Sequence, residues 1–504
     1  MSDFIFAALQ SLMSDPVLLL MIAGGVAAGL VIGSIPGLTS TMALALLVPL
    51  TFSMEFEPAI GLLMGVYCGA ISGGLVGAIV LNIPGTPAAA ATCLDGYPMA
   101  RKGQLSRALG LGVYASMIGG VISGLALVFI APALSKIALQ FGPWEYFTIV
   151  IFTFLTIASL SEGDTLKAVA VAMFGVCLSM IGYSSGVGES RFTFGINAFE
   201  GGLNVLPALV GAFALPQLIL DTDRIGARVN RLDGRFRLPE FMRAFVEVLS
   251  VKWAVLRSTI IGILIGILPG VGPGLSNLLA YSQARSASRT PEKFGTGELP
   301  EAIVSPEAAN NASMGGALIP MLTLGIPGDA STLMLLSALM LHNVEPGPLL
   351  FVMNGNYVAF IFVAFFVAFA FCTVFYHLLI GTIIRVLTVP TQYIVSVIFV
   401  LCVIGSYVLN NRMFDVYTLL AFGLLGYGLR LARFPILPLI LGLILGPMAE
   451  EQLRLALEYG RGSYLPFVTR PFSAAILGLT LLSLLVPLVT HLRARRKSLP
   501  TEGN

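Results

Sequence analysis

Four stretches of the chain set a Pro-Gly step behind an aliphatic residue inside an apolar run: Ile35-Pro36-Gly37, Ile83-Pro84-Gly85, Leu268-Pro269-Gly270 and Ile326-Pro327-Gly328. Small, hydroxyl or amide residues follow each one: Thr39, Ser40 and Thr41; Thr86; Gly272, Gly274, Ser276 and Asn277; Ser331 and Thr332. Proline has no N–H and breaks a helix. A helix that restarts behind the break offers free N–H groups and about half a positive charge. A carboxylate can be held at such ends without a buried Lys or Arg. The carbonyls released by the preceding helix, together with Asn82, Asn310 and Asn311, are candidate ligands for a hard monovalent cation such as Na+. Asp329, directly behind the last break, either binds that cation or caps its own half-helix. Glu307 reads as the N-terminal cap of the helix entering the last break, or as a gate residue. Asp95, in Leu94-Asp95-Gly96-Tyr97-Pro98, reads as shaping a turn.

These breaks must lie in a membrane. The chain is 57% hydrophobic and only 11% charged, whereas soluble domains carry about 25% charged residues. Apolar runs near the roughly 20 residues that cross a bilayer recur from Val17 to Leu492. Lipid cannot satisfy opened backbone, so irregular chain at that depth survives only where it is buried in protein or lines a cavity. Taken singly, each break could be a kink that shapes packing, with Gly33, Gly37, Gly270 and Gly274 allowing close helix contact. Four breaks in two ordered pairs argue for a shared site. Met1 to Asp15 has neither a basic start nor a small-residue cleavage site, so no removable signal peptide is expected. Cys68, Cys93, Cys177, Cys372 and Cys402 are scattered singly and read as small buried hydrophobes.

The first and third breaks, and the second and fourth, are each separated by about half the chain, as expected of a transporter built from two repeats. Helices around Leu109–Ile130, Tyr146–Leu160, Thr165–Tyr183 and Leu206–Leu220 are answered in order by Val358–Cys372, Tyr393–Tyr407, Val416–Leu429 and Leu437–Pro447. The expected fold is an all-α polytopic membrane protein of roughly a dozen spans, with inverted-topology repeats and broken or re-entrant helices. Its expected divisions are an N-terminal amphipathic segment 1–15, repeat one 16–220, a basic cytoplasmic linker 221–255 and repeat two 256–450. An outer loop 451–471, an extra helix 472–492 and a basic cytoplasmic tail 493–504 follow.

Inversion comes from charge, because short cytoplasmic loops collect Lys and Arg. The linker holds Arg224, Arg228, Arg231, Arg235, Arg237, Arg243, Lys252 and Arg257, and the tail holds Arg493, Arg495, Arg496 and Lys497. Arg101, Lys102 and Arg107 follow the second break, but its partner segment His342-Asn343-Val344-Glu345 has no basic Lys or Arg. The first breaks reverse this, with acidic Met54-Glu55-Phe56-Glu57 matched by the basic stretch Arg285 to Lys293. The C-terminus is therefore expected in the cytoplasm and the N-terminus in the periplasm. The segment Glu450 to Arg470 fits less well, since it must lie outside while carrying Arg454, Arg461 and Arg470.

The runs Ser34-Ile-Pro-Gly-Leu-Thr39, Leu81-Asn-Ile-Pro-Gly-Thr86 and Asp95-Gly-Tyr-Pro-Met-Ala-Arg-Lys-Gly103 resemble the large membrane subunit of the tripartite tricarboxylate transporters. Pro306-Glu-Ala-Ala-Asn-Asn-Ala312, Leu322-Thr-Leu-Gly-Ile-Pro-Gly328 and Glu345-Pro-Gly-Pro-Leu-Leu-Phe351 extend the resemblance over nearly the whole chain. It implies a bacterial inner-membrane secondary transporter for carboxylates, working with a small membrane subunit of about four helices and a periplasmic solute-binding protein. It also implies coupling to Na+ or protons, no other cofactor and no ATP hydrolysis. Consistently, Gly270-Val-Gly-Pro-Gly-Leu-Ser276 lacks the Lys of a phosphate-binding loop. Two departures are Asp329, where a small or hydroxyl residue is expected, and Ser305, where alanine is expected.

An elevator movement is the expected mechanism, with broken helices carrying substrate against a scaffold of regular ones. Phe360, Phe362, Phe365, Phe366, Phe369 and Phe371 read equally as scaffold contacts to lipid or a subunit and as internal packing. A passive anion channel is the alternative. An intramembrane enzyme would need a Ser-His pair, facing aspartates or a metal cluster, and the three histidines have no such support. The basic residues follow topology, so no nucleic-acid partner is expected. Pairing into a homodimer stays open.

Overall fold

The computed structural model describes residues 2–160, 165–183, 188–222, 236–386 and 391–483. Among the described residues the only strands are those of one two-residue hairpin, β1 (Gly182–Tyr183) with β2 (Ser190–Arg191), and the regular structure is otherwise helical. The order begins α1 (Ser2–Ser14), α2 (Pro16–Ser34), α3 (Ser40–Leu47), α4 (Phe56–Leu81), α5 (Thr92–Met99) and α6 (Leu105–Ala138). It continues α7 (Pro143–Leu160), α8 (Thr165–Ser179), α9 (Val205–Thr222), α10 (Leu238–Ser250), α11 (Lys252–Ile267), α12 (Gly272–Ala287) and α13 (Glu301–Leu324). Then come α14 (Ala330–Leu341), α15 (Leu350–Met353), α16 (Gly355–Val386), α17 (Thr391–Val408), α18 (Met413–Leu431), α19 (Leu437–Tyr459) and α20 (Pro466–Thr469).

Among the described residues, five helices are long and apolar enough to span a bilayer by length and composition, or six if the bent pair α10–α11 counts as one span. Shorter apolar helices, including α3, α8 and α14, accompany them. Helix α13 is long enough but is not one of the five, because Glu307, Asn310 and Asn311 interrupt its apolar character. The chain is thus a polytopic helical membrane protein.

Two compact units are distinguishable: Met1–Leu139 with Leu209–Tyr427, and Gln140–Ala208 with Gly428–Asn504. The first contains all four breaks. In it α2 packs along α4 and α11 along α13, and glycine makes both contacts possible. A Cβ on Gly85 would overlap the carbonyl oxygen of Gly33, and one on Gly328 would come within 2.7 Å of the Gly266 carbonyl oxygen. The backbones are in direct contact at these points, as small residues permit. The phenylalanines of α16 turn inward: Phe360, Phe362, Phe365 and Phe369 are buried, and the rings of Phe369, Phe365 and Phe366 fill the space over Gly120 and Gly124 of α6. That resolves their two readings in favour of packing for this set.

Ion pairs gather the basic segments of this unit. Lys102 and Lys293 both reach Glu298, at 3.4 and 3.6 Å, and Arg107 grips Glu247 of α10 at 2.7 Å. The start of α4 meets α16 and the segment after α14: the Phe56 ring stacks on Tyr357 of α16 at 3.9 Å and meets His342 edge-on at 6.3 Å.

In the second unit α19 packs on α7 and α8. Arg470 donates to buried Glu145 at 2.6 Å and lies over the Trp144 ring, and Arg191 pairs with Glu450 at 2.7 Å.

Several local expectations are corrected. The stretch 221–255 is not a plain linker, since α10 begins at Leu238 and presents an amphipathic face with buried Phe241, Ala244 and Val248. Its Arg224, Arg228, Arg231 and Arg235 lie outside the described residues, as do the tail basic residues and the last part of the extra helix, which is helical over Pro471–Ser483. Much of the expected outer loop 451–471 is helix, because α19 runs on to Tyr459 and α20 covers Pro466–Thr469. Cys177 is exposed, whereas Cys68, Cys372 and Cys402 are buried.

Candidate functional site at the four helix breaks

Each break ends a long helix in a way its residues dictate. Asn82 closes α4 in the left-handed conformation (φ 56°), and Gly325 closes α13 the same way (φ 70°), the usual end of a helix whose last carbonyls need partners. Gly37 and Gly270 take positive φ (92° and 76°) directly behind Pro36 and Pro269, which a side chain would strain.

The restarts differ. Thr39 caps α3, its hydroxyl accepting from the Met42 N–H at 3.2 Å. Asp329 and Thr332 form a reciprocal capping box on α14, with Asp329 Oδ1 accepting from the Thr332 N–H at 2.6 Å and Thr332 Oγ1 accepting from the Asp329 N–H at 2.9 Å. Asp329 thus caps α14. Helix α12 begins at Gly272 with Pro273 in its first turn and no side-chain cap. Behind Pro84 no α-helix restarts at once: Thr86 leads into a 3-10 turn at Pro87–Ala89, and α5 follows at Thr92. Pro87 suits such a turn, and the Thr86 hydroxyl is left buried with no hydrogen-bond partner.

The four breaks meet. The α3 and α14 starts touch through Ser331, whose hydroxyl shares hydrogen bonds with Ser40 (2.8 Å) and Thr41 (3.3 Å). The third and fourth breaks join where the Gly270 N–H donates to the Gly328 carbonyl at 2.8 Å. The first and second join at Gly33 and Gly85. The α12 start meets the turn behind the second break: Gly274 faces Pro87, and Asn277 Oδ1 accepts from the Ala91 N–H at 2.7 Å while its amide donates to the Pro306 carbonyl at 3.3 Å. Ser276 spends its hydroxyl on the Pro273 carbonyl at 2.8 Å.

The coupling-ion candidates separate. Asn82 is exposed at its helix end. Asn311 is bound on both sides, accepting from Ser72 at 2.7 Å and donating to Ser116 at 2.7 Å. Asn310 is fully buried and its Oδ1 has no partner, so it alone of the three asparagines keeps a free oxygen inside the protein. Among the described residues no cluster of three or more His, Cys, Asp or Glu is placed to hold a metal ion.

Glu307 is not a cap. Helix α13 starts at Glu301, which leaves Glu307 inside it and fully buried, accepting from Thr92 and, at 3.1 Å, from Ser116. Asp95 shapes no turn of its own: within α5 it accepts from the Tyr281 hydroxyl and from the N–H groups of Gly295 and Gly297, at 2.8, 2.8 and 2.7 Å. Ser72, Thr92 and Ser116 escaped the sequence reading because isolated hydroxyls in apolar helices carry no local signal.

Broken helices whose tips converge inside a helical membrane protein are the architecture of a transporter subunit. Residues 19–441 match the tripartite tricarboxylate transporter TctA family. The chain belongs to that family, whose members are membrane subunits of tripartite transporters that include a small membrane subunit and a periplasmic binding protein. An uncharacterized 52.8 kDa protein in the TAR-I ttuC' 3'region of Agrobacterium vitis is 34% identical over 474 residues, covering 94% of this chain and 93% of the relative. A second uncharacterized protein, in the TAR-II ttuC' 3'region of the same organism, is 35% identical over 229 residues, 45% of this chain and 94% of its own length. No solved structure matches the chain.

Proposed function

We propose that this chain is the large membrane subunit of a binding-protein-dependent secondary transporter that imports tricarboxylates or related carboxylates across the bacterial inner membrane. A Na+ or proton gradient drives it, the C-terminus is cytoplasmic and the N-terminus periplasmic. Two inverted repeats present the substrate to alternate sides, the broken helices moving against the regular ones. The observation that carries this reading is the meeting of the α3 and α14 starts at Ser40, Thr41 and Ser331.

The contacts support inversion because they recur in matched form. Gly33 with Gly85 answers Gly266 with Gly328, and the α3–α14 contact answers the one between α12 and the turn at Pro87–Ala89. Lys102 and Lys293 of the two basic segments share Glu298, and the segments at 54–57 and 342–345, which lack Lys and Arg, meet each other, as opposite orientations require. At the proposed site, α12 is uncapped and α3 has only a neutral cap, so both keep their attraction for an anion. Asp329 already occupies the α14 end, so there the hydroxyl of Ser331 is the available group.

The test is uptake in liposomes holding both membrane subunits, with the binding protein added. Each hydrogen bond lost in Ser40→Ala, Thr41→Val or Ser331→Ala should raise KM by about 2- to 10-fold, from a net worth of about 0.5–1.5 kcal/mol. Unchanged KM in the triple variant removes this site.

A further inference from the structure

Five acidic side chains are buried among the described residues: Asp95, Glu145, Glu307, Asp329 and Asp415. Four have partners that suit a negative charge. Asp95 and Asp329 accept from backbone N–H groups, Glu145 is paired with Arg470, and Asp415 with Arg412. Glu307 differs. Its carboxyl is held by the Thr92 and Ser116 hydroxyls and faces the Asn310 side-chain amide, with neither a backbone N–H nor a cationic side chain among its partners. A carboxylate so placed is left uncompensated unless it takes up a cation.

The surrounding elements offer no counter-charge. Cys93 of α5 and Tyr376 of α16 are the titratable groups that face it, and Tyr376 donates its hydroxyl to the Ser72 carbonyl. On α4 the buried titratable groups are Tyr67 and Cys68, neither of them cationic, and Asp95 on α5 is taken by Tyr281. Arg107 of α6 is turned to Glu247, and α11 carries Lys252 and Arg257 only in its first turns, where Arg257 donates to the Trp253 carbonyl.

We propose that Glu307 is the proton-carrying group that couples transport to a pH gradient, a statement that rests on the transporter reading above. The carboxylate takes H+ from one side of the membrane to become the neutral acid, and returns H+ to the other side. A proton suits the surroundings better than Na+. A hard metal ion needs several oxygen ligands, whereas here Ser72, Asn311 and Ser116 are already linked into one chain of hydrogen bonds ending on Glu307.

The position also connects that proton to movement. Thr92 is the first residue of α5, which follows the second break, while Glu307 lies on α13, which leads into the fourth. The ionised carboxylate can only accept from Thr92, and the neutral acid can donate. Protonation therefore rewrites the hydrogen bond that ties the two breaks.

The experiment is Glu307→Gln in liposomes with the partner subunits. Accumulation driven by a pH gradient should be lost, while exchange of labelled for unlabelled carboxylate at equal pH on both sides is retained. Infrared difference spectra between acid and alkaline pH should contain a protonated-carboxyl band in the unaltered protein that Glu307→Gln lacks. Gradient-driven accumulation by the variant, loss of exchange together with accumulation, identical infrared spectra, or accumulation by the unaltered protein that follows Na+ and ignores pH would each overturn the proposal. If the unaltered protein moves no carboxylate under any gradient, the transporter reading fails, and the infrared band still reports on Glu307 separately.

Discussion

Helices α4 and α13 each lead into a break, each end in a left-handed residue and each lie against a partner helix through backbone contacts at glycine. Their linings differ. Along α4 the buried side chains are aliphatic or small apart from Tyr67, Cys68 and Ser72, whereas α13 buries Glu307, Asn310 and Asn311 in its second and third turns. The shared part is backbone geometry, which forms the breaks. The unshared part is chemistry, and it is concentrated on one side of the pair. Two helices can thus keep matching tips while one of them alone carries the polar groups.

The largest effects should come from the shared geometry. Alanine at Gly85 drives its Cβ into the Gly33 carbonyl, and alanine at Gly328 puts Cβ 2.6 Å from that of Ala317 and 2.7 Å from the Gly266 oxygen. Backbone cannot yield as a side chain can, so each substitution should destabilise by about 1–3 kcal/mol or more. Gly24→Ala and Gly381→Ala, with nothing within 4 Å of the new Cβ, serve as controls. Thermal unfolding of the purified protein in detergent should show lower midpoints for the first two variants only. If Gly85→Ala is harmful and Gly328→Ala is not, the two pairs of breaks are not equivalent.

The polar lining should give the next effect. Asn311→Leu removes the donor to Ser116 and the acceptor of Ser72, and leaves both hydroxyls buried without that amide. A buried polar group stripped of its partner costs about 1–3 kcal/mol. Ser72→Ala, on the α4 side, removes a single donor and should cost less. Equal losses of unfolding midpoint in the two variants would mean that the α13 side does not dominate.

The breaks were legible in the sequence because Pro-Gly in an apolar run is a local signal, and so were the hydroxyls Ser40, Thr41 and Ser331 behind them, but not that Thr39 is spent as a cap. What could not be read was which polar groups remain available after folding. Asn277 and Ser276 satisfy the protein's own backbone, and Asn82 faces outward. Glu307 reads as a cap or a gate residue at the start of a helix, yet α13 starts earlier and carries it in its interior. Its partners come from α5 and α6, far away in sequence, and no spacing rule links Thr92, Ser116 and Glu307. The inward turn of the α16 phenylalanines depended likewise on Gly120 and Gly124 of another helix.

The smallest effect should separate the two restarts that have side-chain caps. Thr39→Ala and Asp329→Ala each remove one cap, worth about 0.5–2 kcal/mol. The Asp329 loss should be the larger, because its Oδ1 accepts from both the N–H and the hydroxyl of Thr332 while Thr39 accepts from one N–H. Asp329→Asn keeps an oxygen for the Thr332 N–H and drops the charge, so the capping role expects an unfolding midpoint near that of the unaltered protein and unchanged ion dependence of uptake. A cation at Asp329 expects the opposite, since its binding requires the carboxylate. An Asp329→Asn variant that folds normally but loses Na+ or pH dependence would therefore move the ion chemistry from the interior of α13 to the tip behind it.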